Sequence, residues 1–127
     1  MSQAFVEHIN VTVHDPDKAA QLMCELFDWH IRWSGDAIHG GRSVHVGSDT
    51  SYIAFFSQDG VRKSPESSYL ALAGLNHIGI VVDDLDAAEA RIVSRGYETK
   101  NHANYDPGRR FYFDTDDCIE VEVVSYP

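Results

Sequence analysis

The sequence is poor in cysteine, proline and positive charge, and it contains no long apolar run. Only Cys24 and Cys118 are present, too few for a disulfide framework or a cysteine-rich zinc centre. Two free, mostly buried thiols are expected. Lys+Arg number 10 against Asp+Glu 20, a formal charge of −10. A phosphate backbone is repelled by that balance, so no nucleic-acid partner is expected. An acidic whole does not exclude an acidic substrate, because a bound divalent ion dominates its own pocket. No stretch approaches the roughly 20 apolar residues of a membrane span. The N-terminal MSQAFVEHIN lacks the basic region and apolar run of a signal peptide. No membrane partner and a cytoplasmic location are the expectations.

What is present is a core and a repeat. Hydrophobic residues make up 43% of 127 residues, enough for a packed domain without disulfides. The segment VEHINVTVHDPDKAA (6–20) reads alongside LNHIGIVVDDLDAAE (75–89), an offset of 69 residues. His8 meets His77, Ile9 meets Ile78, Asp15 meets Asp84, Asp17 meets Asp86 and Ala19 meets Ala88. Two structural units of one kind follow from this. Each opens with a β-branched strand, 6–13 and 75–82, that ends at an Asp-containing turn. Each continues into a helix, with Asp17 and Asp86 as N-cap or first-turn acids, Pro16 at the first helix start, and Gly96 as a C-cap just past the second helix. Three more strands are predicted in each unit: 29–33, 42–47 and 51–57, then 97–100, 109–114 and 118–125. The expected organisation is α+β, βαβββ twice. Module one spans about 4–58 and module two about 75–127. The linker, about 59–74, contains Gly60 and Pro65. Asp114–Asp117 reads as a solvated hairpin turn, since it lacks the spacing of a calcium loop.

Strand side chains alternate between faces. Ile9, Val11 and Val13 then face the helix, and His8 points away from it. In the second unit Ile78, Ile80 and Val82 face the helix and His77 points away, with Gly79 leaving space beside it. One strand histidine is an ordinary feature. Two at one repeat-equivalent position are a candidate pair of metal ligands, because neutral imidazole is the commonest such ligand. A carboxylate is the natural third donor. The last strand offers Glu120 and Glu122 on one face, with Ile119, Val121 and Val123 on the other; parity does not choose between the two acids.

The paired strand histidines, the βαβββ duplication and the closing RFYFDTDDCIEVEVVSY (110–126) resemble the vicinal oxygen chelate superfamily. That group includes glyoxalase I, type I extradiol dioxygenases, fosfomycin resistance proteins and bleomycin resistance proteins. The resemblance covers nearly the whole chain. It implies two βαβββ modules whose curved mixed sheets form a cup, commonly in a homodimer. It places metal ligands on the first and last strands, here His8, His77 and Glu122. Glu122 is preferred to Glu120 because it precedes an apolar pair and lies near Tyr126. Ile53 or Ala54 stands where glyoxalase I-like members carry an acid, which leaves an open three-ligand site. Two imidazoles and one carboxylate are the set favoured by non-haem Fe(II) oxygenases. The resemblance thus implies one divalent ion per site, Fe(II) first, with Mn(II), Ni(II) or Zn(II) as alternatives. It also implies a small oxygen-rich substrate, turned over by an extradiol dioxygenase-like or, second, a glyoxalase-type lyase or isomerase activity. A non-catalytic binding protein of the bleomycin resistance kind, with an aromatic-lined groove, is the rival class. A fosfomycin-resistance-type transferase is a further alternative, although no strong Lys/Arg cluster is present.

Three further residues are candidates for catalysis. His102, before the loop at Tyr105–Arg109, could act as a general acid or base. Arg110 and Tyr112 share a strand face and could hold a carboxylate or enolate oxygen. Phe111 and Phe113 then pack against the helix. Tyr52 and Phe56 share a face with Ala54 and could form an aromatic wall. His14, His30, His39 and His45 fall off the repeat-equivalent position and are expected at turns or the surface.

Overall fold

Each half of the chain begins with a short strand that runs into an aspartate, and that aspartate starts a helix. In the computed structural model, which describes residues 2–127, strand β1 is His8–Thr12 and helix α1 is Pro16–Phe27. Asp15 caps α1, accepting from Lys18 N at 3.1 Å. In the second half β5 is Ile78–Val81, α2 is Leu85–Ser94, and Asp84 caps it by accepting from Ala87 N at 3.0 Å. A carboxylate there satisfies a helix N–H that has no intrahelical partner. Asp17 and Asp86 are therefore first-turn acids and not the caps. Past the second helix, Arg95 is the C-cap and Gly96 follows at φ +90°.

The remaining strands are β2 (His30–Asp36), β3 (Arg42–Gly47), β4 (Tyr52–Ser57), β6 (Lys100–Tyr105), β7 (Gly108–Asp114) and β8 (Glu120–Ser125). A one-turn 3₁₀ segment, Ile38–Gly40, sits between β2 and β3. The strands form two four-stranded sheets, ordered β1-β4-β3-β2 and β5-β8-β7-β6. The first and last strands of each half pair in parallel; the other pairings are antiparallel. The α+β, twice-repeated βαβββ architecture expected from the sequence is thus the observed one. Two compact units divide between Arg62 and Lys63, inside the predicted linker.

In unit one α1 turns Ala20, Met23 and Leu26 inward, a spacing that places them on one helical stripe. They pack with Val13, Val44, Val46, Ile53 and Phe55, all buried. In unit two Leu85, Ala88 and Ile92 of α2 join Ile80, Phe111, Phe113, Val121 and Val123. Phe111 and Phe113 are fully buried, as their parity predicts. One exposed ion pair recurs in both units. Arg42 at the start of β3 makes a bidentate contact with Asp17 of α1, 2.7 and 2.8 Å, and Arg109 of β7 reaches Asp86 of α2 at 2.9 Å.

Two expectations need correction. The strand predicted at 97–100 lies at Lys100–Tyr105. The chain after α2 is used to close the helix: Gly96 N and Tyr97 N return to Val93 O and Ile92 O, and pairing begins only afterwards. Cys118 is exposed rather than buried, at φ +63° in the turn before β8; both cysteines are free. Among the described residues no helix is long and apolar enough to cross a membrane.

Phe113→Ala removes a ring with no solvent exposure and is expected to cost about 3–5 kcal/mol of stability. Arg109→Met, which loses only an exposed ion pair, is expected to leave the unfolding midpoint close to the native one. Urea unfolding of the two variants measures the contrast.

Candidate functional site

In unit two the face turned away from α2 carries alternate residues of β8, β7 and β5. Gly79 pairs with Glu122, and Glu122 with Tyr112. One step earlier Ile78 pairs with Val121, so His77 comes beside Glu120. Its Nδ1 lies 3.7 Å from Glu120 Oε1. Tyr69, from the linker, donates its hydroxyl to the same oxygen at 2.8 Å. The register therefore brings His77 together with Glu120.

Glu122, the carboxylate preferred in the sequence reading, is engaged otherwise. Tyr112 donates to its Oε2 at 2.5 Å and Arg110 Nη1 approaches at 3.4 Å. The Tyr112 phenol is pushed up to about 12, first by its bond to the Glu122 carboxylate and then by burial, so it stays protonated as a donor at neutral pH. Arg110 and Glu122 are only 13% and 14% exposed. The guanidinium sits 5.0 Å from the Tyr105 ring centroid, and Arg110 Nη2 reaches Gly108 O at a long 3.5 Å. Arg110 Nε is buried with no partner among the described residues. A buried, under-satisfied guanidinium is a place for an acceptor oxygen.

In unit one the equivalent face is aromatic. His8 pairs in register with Tyr52, and their rings stack at 4.7 Å and 12°. Tyr52 stacks in turn on His45 at 4.8 Å, and His45 meets Trp33 at 5.0 Å. Arg32 lies over the Tyr52 ring at 4.5 Å. Arg32 and Trp33 reach neighbouring rings although consecutive, because the β2–β3 register shifts between Ile31 and Trp33. The aromatic wall foreseen at Tyr52 is real. His45 belongs to it and is half-buried, contrary to its assignment to a turn or the surface; burial pushes its imidazole below the usual value. No periodicity signals His45, since its neighbours come from other strands and its role is set by cross-strand pairing with Ala54.

His8 Nδ1 lies 2.9 Å from Glu7 Oε1. The imidazole beside it holds the Glu7 carboxyl below the usual carboxylate range. A carboxylate on Nδ1 fixes the tautomer that leaves Nε2 as the lone-pair nitrogen, the arrangement found behind metal-bound histidines. Among the described residues no group of three or more His, Cys, Asp or Glu side chains is placed to hold a metal ion; His77 and Glu120 form a pair.

His102 belongs elsewhere. Its Nε2 bonds Glu89 of α2, which also accepts from Thr99 Oγ1. Its ring lies 5.9 Å from Phe111, a helix-facing residue. Arg110 and Tyr112 lie on the opposite face of β7 from Phe111. His102 thereby fastens β6 to α2, on the helix side of the sheet and away from Arg110 and Tyr112. Thr99 and His102 together hold the Glu89 carboxyl below its ordinary range. The stabilisation from these bonds is then full above the ordinary glutamate value, about 4.3, and is lost as pH falls through the lower folded value. Thermal unfolding followed downward from pH 6 is expected to show a steeper loss of Tm in the native protein than in Glu89→Gln.

Comparison with known proteins completes the picture. No curated protein matches. Among solved structures, the glyoxylase/bleomycin resistance protein/dioxygenase domain from Frankia sp. EAN1pec superposes with TM-score 0.83 at 22% identity, covering 99% of this chain and 94% of that one. TnmS3, an antibiotic binding protein from Streptomyces sp. CB03234, gives 0.73 at 21%, covering 100% and 99%. The fosfomycin resistance protein FosX from Listeria monocytogenes, complexed with Mn(II) and sulfate, gives 0.72 at 18%, covering 99% and 95%. At these identities the likeness establishes the fold. The model of the Glyoxalase/Bleomycin resistance protein/Dioxygenase superfamily matches residues 6–123, and the chain belongs to that superfamily.

Proposed function

We propose that the protein is a metal-dependent enzyme acting on a small molecule with adjacent oxygen atoms, with His77, Glu120 and His8 as the metal donors. The observation that carries this reading is the juxtaposition of His77 and Glu120 on the helix-distant face. Two donor atoms 3.7 Å apart are close enough for each to lie about 2.1 Å from one ion. Tyr69 steadies the Glu120 carboxylate by its hydroxyl, and Glu7 orients His8 from behind, as supporting groups do at metal centres. His8 is the third donor by the repeat: it opens β1 at the sequence position that His77, just before β5, holds in the second unit. Glu120 is put before Glu122 in this proposal because its Oε1 lies 3.7 Å from His77 Nδ1, whereas the Arg110 guanidinium already neutralises Glu122.

Two imidazoles and a carboxylate favour Fe(II), with Mn(II), Ni(II) and Zn(II) as alternatives. A bound ion would supply Lewis acidity to a chelating pair of substrate oxygens. The chain's own residues do the rest. Arg110 offers its orphan Nε–H to a negatively charged substrate oxygen. Tyr112 stays protonated and keeps the Glu122 carboxylate in place beside that guanidinium. The donor set puts an extradiol dioxygenase-like reaction first and a glyoxalase-type lyase or isomerase second. A second reading, metal-free binding of a flat molecule, is favoured by the row His8–Tyr52–His45–Trp33.

Elemental analysis of protein purified without chelator is expected to find about one divalent ion per chain, as an open site of this donor set would hold. His77→Ala, Glu120→Gln and His8→Ala should each lower that content at least about tenfold, while Glu122→Gln keeps it. Unchanged metal in the first three variants, or no metal in the native protein after anaerobic loading with Fe(II), Mn(II), Ni(II) and Zn(II), sinks the metal reading in favour of the binding one. Catechol and oxoaldehyde turnover by the loaded protein distinguishes the two reactions.

A further inference from the structure

In unit two the β6–β7 turn and the end of β8 enclose a groove of about 370 Å³. It lies at the opposite end of β7 and β8 from Glu120, which pairs with Asp114, whereas Arg109 pairs with Ser125. Its two large side chains are Tyr105 and Tyr126, 62% and 51% exposed. Tyr105 pairs with Gly108 in the hairpin. A Cβ on Gly108 would stand 2.3 Å from Ser125 O and 3.0 Å from Tyr126 Cδ1. Glycine there lets the Tyr126 ring lie against bare backbone. The two tyrosine rings make no contact with each other among the described residues, so the space between them is open. Arg110 takes one side of the Tyr105 ring at 5.0 Å and leaves the other side to the groove. The rim is polar. The two phenol hydroxyls and the Asn104 side-chain amide make no hydrogen bond among the described residues. Arg109 in the wall is engaged by Asp86 at 2.9 Å. Asp106 forms no ion pair among the described residues, so the groove presents one uncompensated carboxylate.

We propose that this groove docks an extended, proline-rich segment of another protein that carries an arginine or lysine beside its prolines. Proline rings lie on Tyr105 and Tyr126, and the cation meets Asp106. A polyproline II strand has no internal hydrogen bonds, so its carbonyls are free to accept from the phenol hydroxyls and the Asn104 amide. Its backbone is already ordered, and aromatic-lined grooves recognise it for that reason. Other extended or helical partners fit less well. An amphipathic helix needs a row of apolar pockets, and this groove has two amphipathic rings. Strand addition at the neighbouring edge is blunted, because the β6–β7 register shifts between Lys100 and Ala103. Charge sets the sign of the partner: Asp106 and a chain of formal charge −10 attract a basic segment and repel an acidic one. The groove uses none of the proposed metal donors, so this inference stands apart from the metal reading.

The test is fluorescence anisotropy of the full chain with a fluorescein-labelled oligoproline headed by one arginine. Two control peptides carry glutamate in place of the arginine, or a Gly/Ser chain behind the arginine. The native protein is expected to bind the arginyl oligoproline saturably, and the Gly/Ser control at least about tenfold more weakly. Tyr126→Ala should weaken the oligoproline about tenfold through lost stacking and burial. Asp106→Asn should weaken it roughly threefold and remove the preference for arginine over glutamate; salt at about 1 M should remove that preference in the native protein. Both side chains are exposed, so the two variants are expected to melt with the native protein, and the three-peptide comparison needs no variant. Equal binding of the Gly/Ser control, native affinity in Tyr126→Ala, or no saturable binding at all overturns the proposal. The native titration repeated in EDTA is expected to be unchanged, whatever elemental analysis finds; affinity lost in EDTA assigns the binding to a metal instead and overturns the groove.

Discussion

The parallel pairing of the first and last strand within each unit is the constraint on which the functional face depends. β1 pairs with β4, and β5 with β8, across some forty residues of intervening chain. Parallel neighbours cannot be joined by a tight turn, so the helix and two further strands fill the connection. The register of that pair decides which side chain meets each first-strand histidine. A slip of one residue would send every side chain of the strand to the other face. The buried runs Val121, Val123 and Ile53, Phe55 resist such a slip because their helix-facing sides are already filled.

Two copies of one scaffold have diverged at the position set by this register. His8 meets Tyr52, and His77 meets Glu120. In unit one the consequence is a row of stacked rings that ends at Trp33. In unit two it is a cluster of carboxylates, each held by a tyrosine: Tyr69 on Glu120 and Tyr112 on Glu122. A half-buried carboxylate needs such donors. Among the described residues the arrangement leaves two buried side-chain polar atoms unpaired, Ser43 Oγ and Arg110 Nε. Both belong to strands facing away from the helices, where an incoming molecule can complete them. The helix-facing cores carry no comparable debt, as they consist of aliphatic and phenyl groups.

The repeat, the two helices and most strands were legible in the sequence because they rest on local chemistry. An Asp before an apolar stripe caps a helix wherever it occurs, and β-branched alternation marks a strand with one buried face. β3 is found at the predicted residues, and Phe111 and Phe113 are buried as parity requires. β6 was misplaced because the chain after α2 spends three residues on closing the helix, a use that composition does not reveal. His102 lies on β6 and meets Glu89 of α2, a contact between residues distant in sequence that composition does not reveal.

By itself the sequence determined that two similar units exist, that each first strand turns a histidine away from its helix, and that a carboxylate from the last strand shares that face in unit two. Alternation has a period of two, so it assigns faces but cannot rank Glu120 against Glu122, which lie on the same one. The tertiary structure adds the register that parity lacks: Ile78 against Val121 puts His77 next to Glu120, while Tyr112 and Arg110 reach Glu122. It also decided the company His45 and Trp33 keep, because ring neighbours on adjacent strands are distant in sequence and meet only when the sheet is built.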